Sequence, residues 1–242
     1  AVHIKLDTGM HRLGFMEEDI DNLCEFLRKC PELKITSIFS HLSVADMPEY
    51  DSFTELQVKN FIEMTDKIEK CLNIKFIKHI LNTAGIERFS KYQFDMVRLG
   101  IGLYGFSNNF QHKLKNVSTL KTTISQIKKI KKGEAIGYGR TYIANKEMII
   151  GIIPIGYADG LNRKLSNRGY VIVNDKKIRI VGNICMDMCM IDITDIDAKE
   201  GDEVIIFGEK LPVTELASIL ETIPYEVFTS ISNRVKRVYY HE

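Results

Sequence analysis

The chain has 242 residues, 45% hydrophobic and 27% charged, the balance of an ordinary folded protein and not of a disordered or membrane-embedded one. Lysines and arginines number 33 against 32 acidic residues, and a formal charge of +1 excludes a bulk attraction to nucleic acid or an anionic membrane, although a local basic patch stays open. No apolar run approaches the roughly 20 residues a membrane-spanning helix requires.

The first residues, Val2 to Asp7, already alternate like a buried strand. Domains seldom open inside an element paired on both sides, so the chain is expected to be truncated or processed. Ile35–Leu42, Phe76–Asn82 and Val97–Tyr104 read as further buried strands, with helical stretches at Glu17–Lys29, Ser52–Cys71 and Ile86–Tyr92 between them. Strand–helix–strand repetition implies parallel strands with crossover helices. From about Asn116 the rhythm changes: Thr119–Ile130, Met148–Ile155, Tyr170–Val173, Lys177–Val181, Met188–Ile193 and Glu203–Phe207 read as strands, interrupted by one helix over Val213–Leu220. A boundary is expected near 107–116, dividing the chain into a β/α part (1–112) and a mainly antiparallel β part (113–242).

The five cysteines (24, 30, 71, 185 and 189) include no CxxC pair and read as reduced thiols of a cytoplasmic protein. Cys185 and Cys189 are expected on one face of a strand. No metal site is expected.

Several strand ends carry polar and glycine residues, and in a β/α barrel those ends form the active site. Arg98-Leu99-Gly100-Ile101-Gly102 is either a backbone cradle for phosphate or a plain glycine-rich exit. Lys5-Leu6-Asp7-Thr8-Gly9-Met10-His11-Arg12 clusters charge at a sharp turn, which a solvated loop would also do. His41, after Ile38-Phe39, is either a hydrogen-bonded core histidine or a catalyst. Tyr138 stands between two glycines, which leave its phenol unhindered, and Tyr157-Ala158-Asp159 and Cys185-Met186-Asp187 follow apolar runs.

Taken in order, DTGMHRLG, FSH, NTAG, VRLGIGLYG, GYGRTY, IPIGYADG, GNICMDM and SNRVKR resemble the alanine racemase family over essentially the whole chain. The wording is most similar to the racemase half of bifunctional UDP-N-acetylmuramoyl-tripeptide:D-alanyl-D-alanine ligase/alanine racemase proteins. The resemblance implies a partial (β/α) TIM-type barrel, its C-terminal half, followed by the β domain. It also implies pyridoxal 5'-phosphate as cofactor, alanine as substrate, a homodimer, and a role in supplying D-alanine for peptidoglycan.

Residue by residue, the resemblance implies that Arg98 faces the cofactor's ring nitrogen. An arginine only donates, so it keeps that nitrogen unprotonated and the ring a weaker electron sink, which favours proton exchange over transamination. Arg12 matches the residue that bonds the phenolic oxygen, and Lys5 a lysine that is carbamylated in some members. Gly100 and Ile101 match backbone phosphate donors, and Thr83 replaces a serine while keeping its hydroxyl. Asn233 stands where many members have a phosphate-binding tyrosine. Tyr138 matches the catalytic tyrosine, which reaches across the dimer to the histidine matching His41. Tyr157 and Met186 match residues that close the entrance and bind the substrate carboxylate, with Asp187 beside them. No lysine here matches the one that forms the Schiff base, so the chain as it stands is expected to be inactive. Serine racemisation, a decarboxylase on the same plan, and a silent cofactor-binding or dimerisation domain are the rival readings. The GYGRTY and ICMDM segments oppose the decarboxylase, and the Tyr138, His41 and Arg98 set opposes the silent domain.

Overall fold

The computed structural model describes residues 1–240, which divide into two compact units, residues 1–115 and 116–240. In the first unit three parallel strands, β1 (Val2–Lys5), β2 (Ile35–Phe39) and β3 (Ile77–His79), lie in the order β1-β2-β3. Helix α1 (Ile20–Lys29) follows β1 and buries Ile20, Leu23, Cys24 and Leu27, one stripe at helical spacing. Helix α2 (Asp51–Leu72) buries Val58, Phe61, Met64 and Ile68 and ends at Asn73 in a left-handed conformation. Helix α3 (Thr83–Arg88) starts at Asn82, whose side chain accepts from Gly85 N at 2.9 Å. The strands and helices enclose a core around Leu6, Ile38, Phe61, Ile68 and Ile80.

One expected strand is absent among the described residues. Val97–Tyr104 runs as irregular backbone into a single 3₁₀ turn at Ile101–Tyr104. Arg98 N donates to Leu81 O at 3.0 Å, but Gly100 (φ −106°, ψ −110°) and Gly105 (φ 74°) then turn the chain away from any ladder. The other strands are shorter than expected, because their polar ends leave the sheet to form the site.

The second unit holds a seven-stranded antiparallel sheet. Its strands are β4 (Leu120–Thr123), β5 (Gln126–Ile130), β8 (Met148–Ile153), β9 (Tyr170–Val173), β10 (Lys176–Val181), β11 (Cys189–Asp192) and β12 (Glu203–Phe207). A small hairpin, β6 (Ala135–Ile136) with β7 (Tyr142–Ile143), stands apart from it. The order β4-β12-β9-β10-β11-β8-β5 places β4 and β5 at opposite ends although only Ile124 and Ser125 separate them. Ile124 N donates to Asp202 O, before β12, and Ser125 N to Ile152 O, on β8. One step along the chain therefore joins the two ends of the order and curls the sheet. This break also splits the single strand expected over Thr119–Ile130. Asn174 and Asp175, both with positive φ, make the tight β9–β10 turn. Cys189 is buried in β11, whereas Cys185 lies in the preceding turn, so the two do not share a strand face. All five cysteines are free thiols. Helix α4 (Val213–Leu220) is followed by α5 (Pro224–Ser230), unforeseen although Pro224 at its first turn is a usual helix start. No helix among the described residues is long and apolar enough to cross a membrane.

Candidate active site

In the first unit the residues after the strand ends converge on Arg98. Its Nη2 donates to Ser40 O (2.6 Å) and Ile80 O (3.1 Å), and its Nη1 to His79 O (3.2 Å). Nη1 also lies 2.5 Å from His79 Nδ1, and Nη2 lies 3.4 Å from His41 Nδ1. The guanidinium stands 5.3 Å over the Phe39 ring, which itself stacks on His79. Burial lowers the pKa of Arg98 from its ordinary value. A guanidinium this well supplied with carbonyls stays charged, and its position is fixed from two segments, Phe39–His41 and His79–Ile80.

That charge sets the state of its neighbours. Burial, then Arg98, Arg12 and Lys5 push His41 down to about 4. Burial, Arg98 and His3 do the same to His79. Both imidazoles are therefore neutral at physiological pH. Beneath them, Ser40 Oγ donates to Leu6 O at 2.8 Å, so the Thr8 hydroxyl is left to donate to Ser40 Oγ, also at 2.8 Å.

The Asp7–Phe15 loop folds back on β1, with Asp7 N donating to Phe15 O and Phe15 N to Lys5 O. Gly14 (φ +126°) is required there, since a Cβ would come within 2.7 Å of the Asp7 nitrogen. Burial works against ionisation of Asp7, yet the N–H groups of Gly9 and His11 hold its carboxyl below the usual range. Lys5 Nζ donates to Leu13 O at 2.5 Å, and burial, outweighing Asp7 and aided by Arg12 and Arg98, lowers its pKa. Arg12 is exposed on this loop.

Thr83 Oγ1 accepts from Gly100 N (3.0 Å) and Gly102 N (3.3 Å), which brings a hydroxyl and the backbone of the glycine run to one point. A Cβ at Gly102 would stand 3.0 Å from Leu99 and 3.1 Å from Thr83 side-chain carbons, so the cradle admits no larger residue without displacement. Ile101 is buried at its base. An oxyanion such as phosphate could take over these two alternate N–H donors from Thr83 Oγ1 and accept from the hydroxyl as well.

The remaining candidates lie in the second unit. Tyr138 is 73% exposed, its phenol free of neighbouring bulk because Gly137 and Gly139 flank it. Asn183 Nδ2 donates to its carbonyl at 2.8 Å and pins the turn. Tyr157 N donates to Cys185 O and Ala158 N to Met186 O, both at 3.0 Å, so the Tyr157 and Met186 turns are zipped together. Both side chains are exposed. Asp187 pairs with Arg234, and Asn233 is exposed beside it. His79, Asn183 and Arg234 were not foreseen. A histidine inside the run Phe76–Leu81 reads as core, and nothing in local spacing links Arg234 to an aspartate 47 positions away.

A β/α unit with a half-buried arginine beside a hydroxyl and glycine backbone, and a separate curled β unit, narrow the chain to enzymes that combine these two parts. Comparison with known proteins makes the assignment specific. The profile for the alanine racemase N-terminal domain matches residues 1–108, and that for the C-terminal domain matches residues 117–239. The chain is 43% identical over 252 residues to the alanine racemase of Clostridium tetani, covering 98% of this chain and 64% of that one. It superposes on the alanine racemase of Clostridium difficile 630 with a TM-score of 0.91 at 38% identity, covering 99% of this chain and 64% of that one. The corresponding values for the Bartonella henselae alanine racemase with covalently bound pyridoxal phosphate are 0.86 and 32%, covering 98% and 66%. The chain belongs to the alanine racemase family. It spans about two thirds of the length of the curated relatives it matches.

Proposed function

We propose that this chain supplies most of the site of a pyridoxal 5'-phosphate-dependent alanine racemase. The observation that carries the reading is Arg98, a half-buried cation fixed between two neutral imidazoles, two residues before the Thr83–Gly100 contact. The donor set fits the cofactor. Arg98 would face its ring nitrogen, Arg12 its phenolic oxygen, and Thr83, Gly100, Ile101 and Asn233 its phosphate. Asn233 keeps a donor where a tyrosine is usual. When bound, the cofactor supplies a sink for the electrons left on Cα when its proton departs.

The chain's own residues do the rest. Arg98 can donate but never accept, so it leaves the ring nitrogen unprotonated and limits the sink to what proton exchange needs. Tyr138 holds or takes the Cα proton on the L side through its phenol oxygen. His41, kept neutral by burial and by Arg98, turns its Nδ1 to that guanidinium, which leaves its Nε2–H to donate to the phenol oxygen across a homodimer. Tyr157 and Met186 frame the entrance for the amino acid's carboxylate. A lowered Lys5 pKa leaves more free amine, the form that is carbamylated. β1–β3 would belong to the C-terminal half of a β/α barrel. We place the covalent cofactor lysine in the third of the relatives' length that this chain does not span.

The relatives' names favour alanine over serine, and they carry the racemase alone, so the proposal does not extend to a fused ligase. The test is conversion of L- to D-alanine by the full-length protein with added pyridoxal phosphate, followed by chiral chromatography. Conversion that disappears in Arg98→Ala is the expected result. No conversion by the unaltered protein would overturn the reading.

A further inference from the structure

Three segments of the second unit meet at one arginine that the mechanism above leaves idle. Arg234 Nε lies 2.8 Å from Asp159 Oδ1, and its Nη2 pairs with Asp187. Asp159 is nearly buried, and its other oxygen accepts from Gly156 N at 2.9 Å. Its carbonyl accepts from Ser232 N at 3.0 Å, which ties the segment carrying Asn233 to the same point. The Tyr157 and Met186 turns approach so closely that a Cβ at Gly156 would stand 2.3 Å from the carbonyl oxygens of both Cys185 and Met186. A Cβ at Gly160 would stand 2.5 Å from Ser230 O. No spare volume separates these backbones, and two direct hydrogen bonds join the Tyr157 and Met186 turns, so a side chain that ties them from outside acts on segments already in contact.

We propose that Arg234 is a positioning residue: by bridging Asp159 and Asp187 it locks the Tyr157 turn, the Met186 turn and the Asn233 segment into one rigid rim. Asp187 then serves this clamp and not the substrate. An anionic side chain would repel an amino acid's carboxylate, whereas paired with Arg234 it sets where the neighbouring Met186 stands. Arg234 has two acids to satisfy, so it is a bridge and not a free cation for ligand. Two bonds from one planar guanidinium fix an angle as well as a distance, which a lysine ammonium does not do. A supporting shell of this kind sets how well a site's contact residues are held in place.

The kinetic part of the test rests on the racemase reading; the structural part does not. In the full-length protein, amide hydrogen exchange is followed at Tyr157 and Ala158 and across β8 and β11. Arg234→Ala is expected to speed exchange at the two turn amides about tenfold while the strand amides change little. Arg234→Lys, which keeps one ion pair and guards against a variant that fails to fold, is expected to fall between. Asp187→Asn in the Arg234→Ala background is expected to add nothing, because the two act as one unit. Arg234→Ala is also expected to raise KM for alanine about tenfold with kcat within about threefold. Unchanged exchange at Tyr157 and Ala158, or acceleration spread evenly over β8 and β11, would overturn the clamp. A protein that turns over no alanine would sink the racemase reading, and the exchange comparison would still decide the clamp.

Discussion

Arg98 Nη1 and His79 Nδ1 face each other at 2.5 Å, and this pair fixes the protonation of everything beneath it. A guanidinium only donates, so His79 Nδ1 is the acceptor and its proton sits on Nε2. Nε2–H then donates to Ser37 Oγ at 3.0 Å, and the Ser37 hydroxyl donates to His3 Nδ1 at 2.6 Å. One residue from each of β1, β2 and β3 is thereby enlisted to orient the cation. His79→Phe keeps the ring volume and the Phe39 stack but removes the acceptor. It is expected to lower stability in urea unfolding by about 2 kcal/mol, since a half-buried charged donor loses a partner. An unchanged midpoint would mean that the three carbonyls suffice.

The same pair predicts acid sensitivity. His41 and His79 are held at about 4 in the folded protein, whereas an unfolded histidine titrates near 6.5. Between these values the unfolded chain binds more protons, so stability is complete above about pH 6.5 and falls as pH drops toward 4. Each histidine contributes up to about 1.4 kcal/mol per pH unit in that window. Urea midpoints at pH 7, 5.5 and 4.5 measure the slope. His41→Asn is expected to reduce it by about half, and a slope unaltered by that change would assign the acid sensitivity elsewhere.

Glu69 provides a contrast in ion-pair strength. It is almost fully buried, and its Oε2 pairs with Lys75 at 2.6 Å and Lys78 at 3.1 Å. The Lys75 side chain is 87% exposed and that of Lys78 18%. Lys78→Met is expected to destabilise by about 2 kcal/mol, because it leaves a buried carboxylate poorly compensated. Lys75→Met, although it breaks the shorter contact, is expected to leave the unfolding midpoint where it was. Equal effects would show that distance and not burial governs the pair.

Much of this architecture is legible in the residues. Alternation located β1, short apolar runs bounded by turn residues located β9 and β12, and helical spacing located α1, α2 and α4, whose apolar residues share a buried face. Val97–Tyr104 misled for the opposite reason. Its apolar residues suit a strand, but its glycines bend the chain into the cradle, and no local pattern distinguishes these uses. The break at Ile124 was hidden because a β-branched apolar residue suits a strand, and Ile124 is buried although it belongs to none. At the site, the motifs pointed to Arg98, Thr83 and Gly100, and the fold brings Gly100 N within 3.0 Å of Thr83 Oγ1. His79 and Arg234 act through partners distant in sequence, so only the folded chain reveals them.

Close backbone contact predicts one further cost. Gly156→Ala would drive a Cβ into two carbonyl oxygens that belong to a paired turn and have little freedom to move. It is expected to destabilise by about 1–3 kcal/mol, as overpacking does. Thermal unfolding measures it, and an unchanged Tm would mean that the two turns separate easily.

The most direct test concerns Tyr138. In the full-length protein with pyridoxal phosphate, Cα–H exchange of L- and D-alanine in deuterium oxide is followed by proton NMR under single-turnover conditions. Tyr138→Phe is expected to slow exchange from L-alanine by at least about 100-fold, the scale of a lost general base, with much less effect on D-alanine. Equal losses in both directions, or none in either, would contradict the assignment of Tyr138 to the L side.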